Sequence, residues 1–464
     1  MKGLWFALWL VACGNDADPV RQSPLWSDGD HLRDAGGRVA LLRGVNARVD
    51  RVFDVTFSDG RAPLEEIPPL TPDDCRRMRE LGFDLLRLPI NWSGVEPVQG
   101  AFDAAYLDRV DAAVSCAADA GMFVVIDIHQ DAYSKEIGED GAPLWAIQPP
   151  PMQLLGGPLN DLGDRRASAQ VMDAFRTFFD ANDASGMQAA FATMIGHVAA
   201  RWATHPAVIG FELYNEPITG TLELDAFHKR AAEAVRAAAP QKLVLFEPIA
   251  VRNLTDFIPL PSAPFPVDGG VYAPHIYTYV FQSDQTAFEN ATADQLEASV
   301  AAARAEASAF NPPLWIGEFG AGPTNDASHA RWTQTQMQLH DRYFASNAYW
   351  VWKESSQASW GLYDHDASTG AWTERPHVVE WLSRIHVARI AGTPKSLESS
   401  VAGDHVELSL TSASDAPHSI YVPERFAATA VATCDGQVIT APRDPATGLV
   451  ELSCSGTLVV VSGS

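Results

Sequence analysis

The sequence predicts an α/β fold, a (β/α)8 TIM barrel with a small C-terminal β-sandwich, and three observations point there. From about Arg38 to Ile390, short apolar β-like runs alternate with helical stretches, the order that builds a parallel sheet. There are eight such runs, the number that closes a barrel. After Ala391-Gly392-Thr393-Pro394 the texture changes to short alternating runs separated by Asp, Gly and Pro, as in a small sandwich.

Taken in order, residues 1–24 are a leader and tether, 25–392 the barrel, and 393–464 the accessory sandwich. The leader carries one cation, Lys2, then a short apolar core ending in Leu10-Val11-Ala12-Cys13. That ending resembles a bacterial lipobox. It implies cleavage before Cys13, lipidation of Cys13, and an exported chain, either a membrane-anchored envelope lipoprotein or a secreted protein. The barrel strands are expected at 39–46, 83–90, 122–129, 208–215, 243–247, 270–277, 314–318 and 348–353. Between them, Thr71-Pro72-Asp73-Asp74 reads as a helix N-cap with proline at the first helical position. Alanine-rich stretches at 222–239 and 291–310 supply outer helices by propensity. The sandwich strands include 406–410, 431–433 and 458–461. Cys434 and Cys454 lie on neighbouring β-like runs and form a candidate disulfide, whereas Cys75 and Cys116 on helical segments read equally as a bridge or as buried thiols. None has the paired spacing of a zinc site, and no metal or cofactor is expected.

Charge narrows the partner. Lys plus Arg is 33 against 58 Asp plus Glu, a net charge of −25, which disfavours nucleic acid because phosphate binding needs clustered cations. A neutral substrate is the simpler expectation. In a parallel barrel the site forms at the C-terminal ends of the strands, so polar residues closing apolar runs carry the most weight. They are Arg87, His129, Asn215-Glu216, His275, Tyr277, Glu318 and Trp352. Two of them, Glu216 and Glu318, are carboxylates about 100 residues apart. Acetal hydrolysis needs such a pair, one to protonate the leaving oxygen and one to attack the anomeric carbon. Glu247-Pro248 repeats the form of Glu216-Pro217 without its partners and is set aside. There is no H-E-x-x-H spacing and no G-x-S-x-G elbow, which disfavours a metallohydrolase or a serine hydrolase.

Arg87, His129, Asn215, Glu216, His275, Tyr277, Glu318 and Trp352 fall in order on separate strands, and this set resembles glycoside hydrolase family 5 of clan A. Asp127-Ile128-His129-Gln130-Asp131, Gly141-Ala142-Pro143-Leu144-Trp145 and Trp352-Lys353-Glu354 are similar to its endoglycoceramidase-related branch. The resemblance implies a retaining double displacement. Glu318 would be the nucleophile, and Glu216 the acid and base with a carboxyl pKa raised by burial and by the neighbouring anion. It also implies substrate contacts from Arg87, His129, Asp131, Trp145, Asn215, His275, Tyr277, Trp352 and Lys353, with Trp352 stacking on the sugar. That branch usually carries a lysine shortly after Arg-Gly-Val-Asn; here Arg43-Gly44-Val45-Asn46 is followed by Arg48 and Arg51, either of which would have to substitute. Two proline-rich apolar loops, 145–155 and 257–267, are expected to line a slot for a lipid aglycone. The leading expectation is therefore a glycosidase acting on the glycan–ceramide bond. The rivals are a β-1,4-glucanase or mannanase of the same family, and a non-catalytic surface lipoprotein that binds carbohydrate.

Overall fold

A computed structural model of the protein describes residues 24–255, 265–281, 285–322, 327–355 and 360–462. Cys13 and most of the 257–267 loop lie outside the described residues. Eight parallel strands make the central sheet: Arg43–Asn46, Leu85–Ile90, Phe123–Ile128, Val208–Glu212, Leu243–Phe246, Gly270–Tyr272, Trp315–Phe319 and Ser346–Tyr349. The eighth pairs with the first, and bridges from Tyr272 to Leu314 and from Ile276 to Phe319 join the sixth to the seventh. The barrel is closed.

Its lower interior is apolar: Leu85, Val125, Ile209, Leu245, Val271 and Trp315 pack together with Leu25, Leu32, Ala40 and Leu42 from the chain before the first strand. The N-terminal segment thus plugs one mouth and leaves the other for polar side chains. Outside, the helix Pro72–Glu80 begins as expected: Thr71 caps it, Asp74 closes the capping box, and Pro72 takes the first turn. Thr221–Ala238 and Ala293–Phe310 match the two alanine-rich stretches. The Tyr214 ring sits among Phe178, Phe191 and Phe227 at 5.5, 5.6 and 5.5 Å, which anchors the turn that carries Asn215 and Glu216.

The sandwich is larger than the tail alone. Its six-stranded sheet runs Leu25–Asp28, His31–Asp34, Val39–Ala40, His386–Ile390, His418–Tyr421 and Leu449–Leu452. The opposing sheet has Gly392–Ser399, His405–Ala413, Leu458–Ser462, Ala430–Cys434 and Gln437–Ile439. Val39, Leu41, Val387, Leu397, Leu408 and Leu458 share one core. The expected boundary at 392 therefore shifts: residues 25–40 and 386–390, assigned to the barrel segment, pair their backbones in the sandwich. The expected strand 39–46 divides at the same place. Cys434 pairs with Cys454, and Cys75 pairs with Cys116, tying Pro72–Glu80 to Ala104–Asp119. Among the described residues no helix is long and apolar enough to cross a membrane.

Candidate active site

Along the second strand Leu85 faces the barrel interior while Leu86 and Leu88 pack outside, so alternation turns Arg87 inward. Arg87 has no solvent exposure and its guanidinium is fully engaged. Nη1 donates to Glu318 Oε1 at 2.6 Å and to Asn46 Oδ1 at 3.0 Å; Nε and Nη2 hold Glu212 at 2.8 and 3.1 Å. Nη2 also donates to Asn215 Oδ1 at 2.9 Å and lies 3.1 Å from Asp127. Glu318 sits where the register of the seventh strand shifts, between Ile316 and Phe319, which re-aims its side chain. The Tyr277 hydroxyl donates to its other oxygen at 2.9 Å.

Glu216 follows the fourth strand in a left-handed backbone conformation, φ 43°, which a non-glycine residue adopts at a cost. The surroundings hold it there. Gln130 Nε2 donates to the Asn215 and Glu216 carbonyls at 2.8 and 3.1 Å, and the Glu216 N–H donates to Glu247 Oε2 at 3.1 Å. His275 links the two candidate carboxylates: Nδ1 donates to Glu216 Oε1 at 2.9 Å and lies 3.5 Å from Glu318 Oε2. Gly317 makes room for that ring, since a methyl there would press on His275 Nε2 at 3.0 Å. Glu216 and Glu318 each place a carboxylate oxygen within 4.8 Å of the other.

The charges follow from this packing. Burial pushes the Glu216 carboxyl up, but the His275 hydrogen bond and charge, with Arg166 and His129, outweigh it and hold the group at about 2. The expected raised pKa at Glu216 is thus not found, because a histidine from the sixth-strand end reaches it. Burial raises the Glu318 carboxyl and the Glu216 anion adds to this, against His275 and Arg87. The His275 imidazole, which burial disfavours charging, is nonetheless raised by Glu318 and Glu216. His129 is buried and held near 4, neutral, with Nδ1 donating to Asp127 at 2.6 Å.

The structure brings Arg87, His129, Asp131, Asn215, Glu216, His275, Tyr277 and Glu318 to one end of the barrel. Three expected substrate contacts lie elsewhere. Trp352 Nε1 donates to the buried Asp74 at 3.1 Å and Lys353 Nζ to the same carboxylate at 2.5 Å, both behind the first helix. The Trp145 indole donates to the Glu96 carbonyl at 3.0 Å and packs edge-on against Trp92. The tryptophans that line the pocket are Trp350, stacked parallel to His129 at 5.6 Å, and Trp360. The eighth strand ends at Tyr349, before these tryptophans, so strand alternation does not decide which of them faces inward.

Two other residues enter the site. Arg48 lines the pocket and pairs with Glu65, Glu139 and Glu354, while Arg51 points to solvent beside Asp50. Glu247, set aside on sequence grounds, is buried behind the site, with Oε1 3.3 Å from His275 and 3.5 Å from Arg87. Beside the polar pocket lies a second cavity of about 380 Å³, lined by Ile218, Ile249, Val251, Leu254 and Phe281 among others. The 145–155 loop does not line it; its apolar wall comes mainly from the segments after the fourth and fifth strands, with Arg166 from after the third and Phe281 from after the sixth.

Residues 67–356 match the cellulase family, glycosyl hydrolase family 5. The chain belongs to that family. It is similar to endoglycoceramidase I of Rhodococcus hoagii (strain 103S), 32% identical over 281 residues that cover 56% of this chain and 54% of the relative. The chain thus spans about half the length of that relative. Among solved structures it resembles endogalactoceramidase, with a TM-score of 0.79 and 26% identity over 95% of this chain and all of the other. It also resembles endo-glycoceramidase II from Rhodococcus sp. with a cellobiose-like isofagomine bound (TM-score 0.73, 25% identity, 94% of this chain and 100% of that one). The likeness to these neighbours extends through the sandwich as well as the barrel.

Proposed function

We propose that the protein is a retaining β-glycoside hydrolase that cleaves the bond between a sugar and a ceramide-class lipid. The observation that carries the lipid half is the apolar cavity: it adjoins Glu216, and Val251, Leu254 and Phe281 at its wall are more than half exposed. A lipid chain would cover them. The endoglycoceramidases that the chain resembles support the same class.

In the first step a Glu318 oxygen bonds to the anomeric carbon as the glycosidic C–O bond breaks, and Glu216 delivers a proton to the departing oxygen. When charged, the His275 imidazole passes that proton along its 2.9 Å hydrogen bond to Glu216 and takes it back after the second step. In the second step Glu216 takes a proton from water, water oxygen bonds to the anomeric carbon, and Glu318 leaves as the carboxylate. A carboxylate spacing within 4.8 Å supports retention, since inverting pairs stand about 6.5–9.5 Å apart to admit water. Trp350 offers the sugar an aromatic face, and Asn215, His129 and Asp131 offer hydroxyl contacts.

The test is an incubation of purified protein with glycosylceramides alongside cello- and manno-oligosaccharides, with products read by mass spectrometry. Released ceramide with the intact glycan is expected; cleavage of the oligosaccharides alone would sink the reading. We also place the protein at the bacterial envelope through a lipid on Cys13, a position that brings it to a membrane-borne substrate. The lipobox and the two disulfides, which need an oxidising compartment, support this. Loss of membrane fractionation in Cys13→Ala is the expected result, and unchanged fractionation would refute it.

A further inference from the structure

The polar pocket and the apolar cavity share a boundary of five side chains: Asp131, Arg166, Glu216, Tyr277 and Phe281. Glu216 marks where the leaving oxygen must lie, so the other boundary residues stand beside the first atoms of the aglycone. Arg166 ends the short helix Leu162–Arg166 in the long segment after the third strand. Its Nη2 donates to Asp131 Oδ1, which aims the guanidinium across the boundary. Among the described residues its Nε and Nη1 donate to no acceptor, and the side chain is 41% exposed.

This distinguishes Arg166 from the other two arginines of the site. Arg87 is surrounded by carboxylates and carboxamides on every nitrogen, and Arg48 is buried among three glutamates. Beyond the boundary the cavity wall is mostly apolar, with Ile218, Ile249, Val251 and Leu254 beside the neutral Gln130, Thr219 and Asn253, and among the described lining residues Arg166 is the one cation. A cation with open donors at the head of an apolar slot fits an aglycone that carries an acceptor oxygen within a few bonds of the glycosidic oxygen and is hydrocarbon thereafter.

Resting on the glycolipid reading above, we infer that Arg166 is a specificity-determining residue that hydrogen-bonds the amide carbonyl of a ceramide-class aglycone. It discriminates such lipids from alkyl and sterol aglycones, which offer no acceptor there. A hydrogen bond to a charged donor is worth about 10- to 100-fold in a rate constant once both groups leave water.

The experiment measures kcat/KM for two substrates with the same sugar, a glycosylceramide and a dodecyl β-glycoside, in one detergent, for the native protein, Arg166→Gln and Arg166→Lys. The ceramide-to-alkyl ratio is expected to fall about tenfold or more in Arg166→Gln and to recover in part in Arg166→Lys. Because a misfolded fraction lowers both rates equally, the ratio reports recognition alone. A ceramide analogue with the amide replaced by a trans-alkene, neutral and without an acceptor, closes the cycle: it should be cut as poorly by the native protein as by Arg166→Gln. An unchanged ratio overturns the inference and leaves the glycolipid reading standing, since Arg166 would then act only through the charge of Glu216. Native protein that cleaves neither lipid substrate overturns both.

Discussion

Replacing Arg87 with methionine tests the electrostatic account of the site. The guanidinium lies 2.6 Å from Glu318, 2.8 Å from Glu212, 3.1 Å from Asp127 and 3.5 Å from Glu247, all buried. Methionine fills much of the volume but leaves these carboxyls without a cation, and removing one partner of a buried ion pair costs about 3–5 kcal/mol. The cost should depend on pH. Asp127 and Glu247 are already raised well above ordinary carboxyl values by burial, so they favour folding below the unfolded value and lose that contribution as pH rises through the folded one. Without Arg87 the same holds for Glu212, and more strongly than before for Glu318. The gap between native protein and variant should then widen from pH 5.5 to pH 8 by up to about 1.4 kcal/mol per pH unit for each extra proton taken up on folding. Urea denaturation at the two values measures it. A loss below about 1 kcal/mol, or one of equal size at both, would refute the reasoning.

Glu216→Ala should lose about 10²- to 10⁴-fold in kcat on a lipid glycoside and far less on a dinitrophenyl glycoside, whose leaving group needs no proton; equal losses would exclude the acid role. Trp350→Ala should raise KM about tenfold by removing an apolar face from the sugar pocket, whereas Trp352→Phe should cost about 1 kcal/mol of stability through the lost Asp74 hydrogen bond with little kinetic effect. The reverse pattern in steady-state kinetics and thermal denaturation would restore Trp352 to the sugar. Cys75→Ser with Cys116→Ser should lower stability by about 2–4 kcal/mol and leave kcat/KM unchanged, as a crosslink between two outer helices implies.

What the sequence makes legible here is set by locality. Arg87, His129, Glu216 and Glu318 stand out because a polar residue that closes an apolar run is costly unless a site uses it, and that cost is readable one strand at a time. Glu247 has the same local form, but its meaning comes from His275 and Arg87 on the sixth and second strands, so nothing beside it in the chain reveals it. Trp350 and Trp352 differ only in which way the chain turns after Tyr349, a matter of two residues. The segment 25–40 directly precedes the first barrel strand, yet Val39 and Ala40 at its end pair with Ile390 and Arg389, a pairing no local pattern encodes. The low pKa of Glu216 is the same kind of miss: burial and a neighbouring anion can be anticipated from a barrel, whereas a histidine 2.9 Å away cannot.

On the proposed glycolipid reading, the distribution of charge around the scissile position lets one barrel end serve both a sugar and a lipid. On the sugar side Asp127, Glu212, Glu247 and Glu318 crowd one buried arginine, and burial raises the Asp127 and Glu247 carboxyls well above their ordinary values. The site thereby holds enough negative charge to favour an oxocarbenium-like transition state without an array of bare anions that would unfold it. On the other side of Glu216 the wall turns apolar within two residues, at Pro217 and Ile218, and Arg166 is the charged side chain left on the boundary with donors to spare. Changing Arg166 should therefore alter which aglycone departs, whereas changing Arg87 should alter whether the bond breaks at all. On that reading the two arginines separate chemistry from selection at opposite sides of one carboxylate.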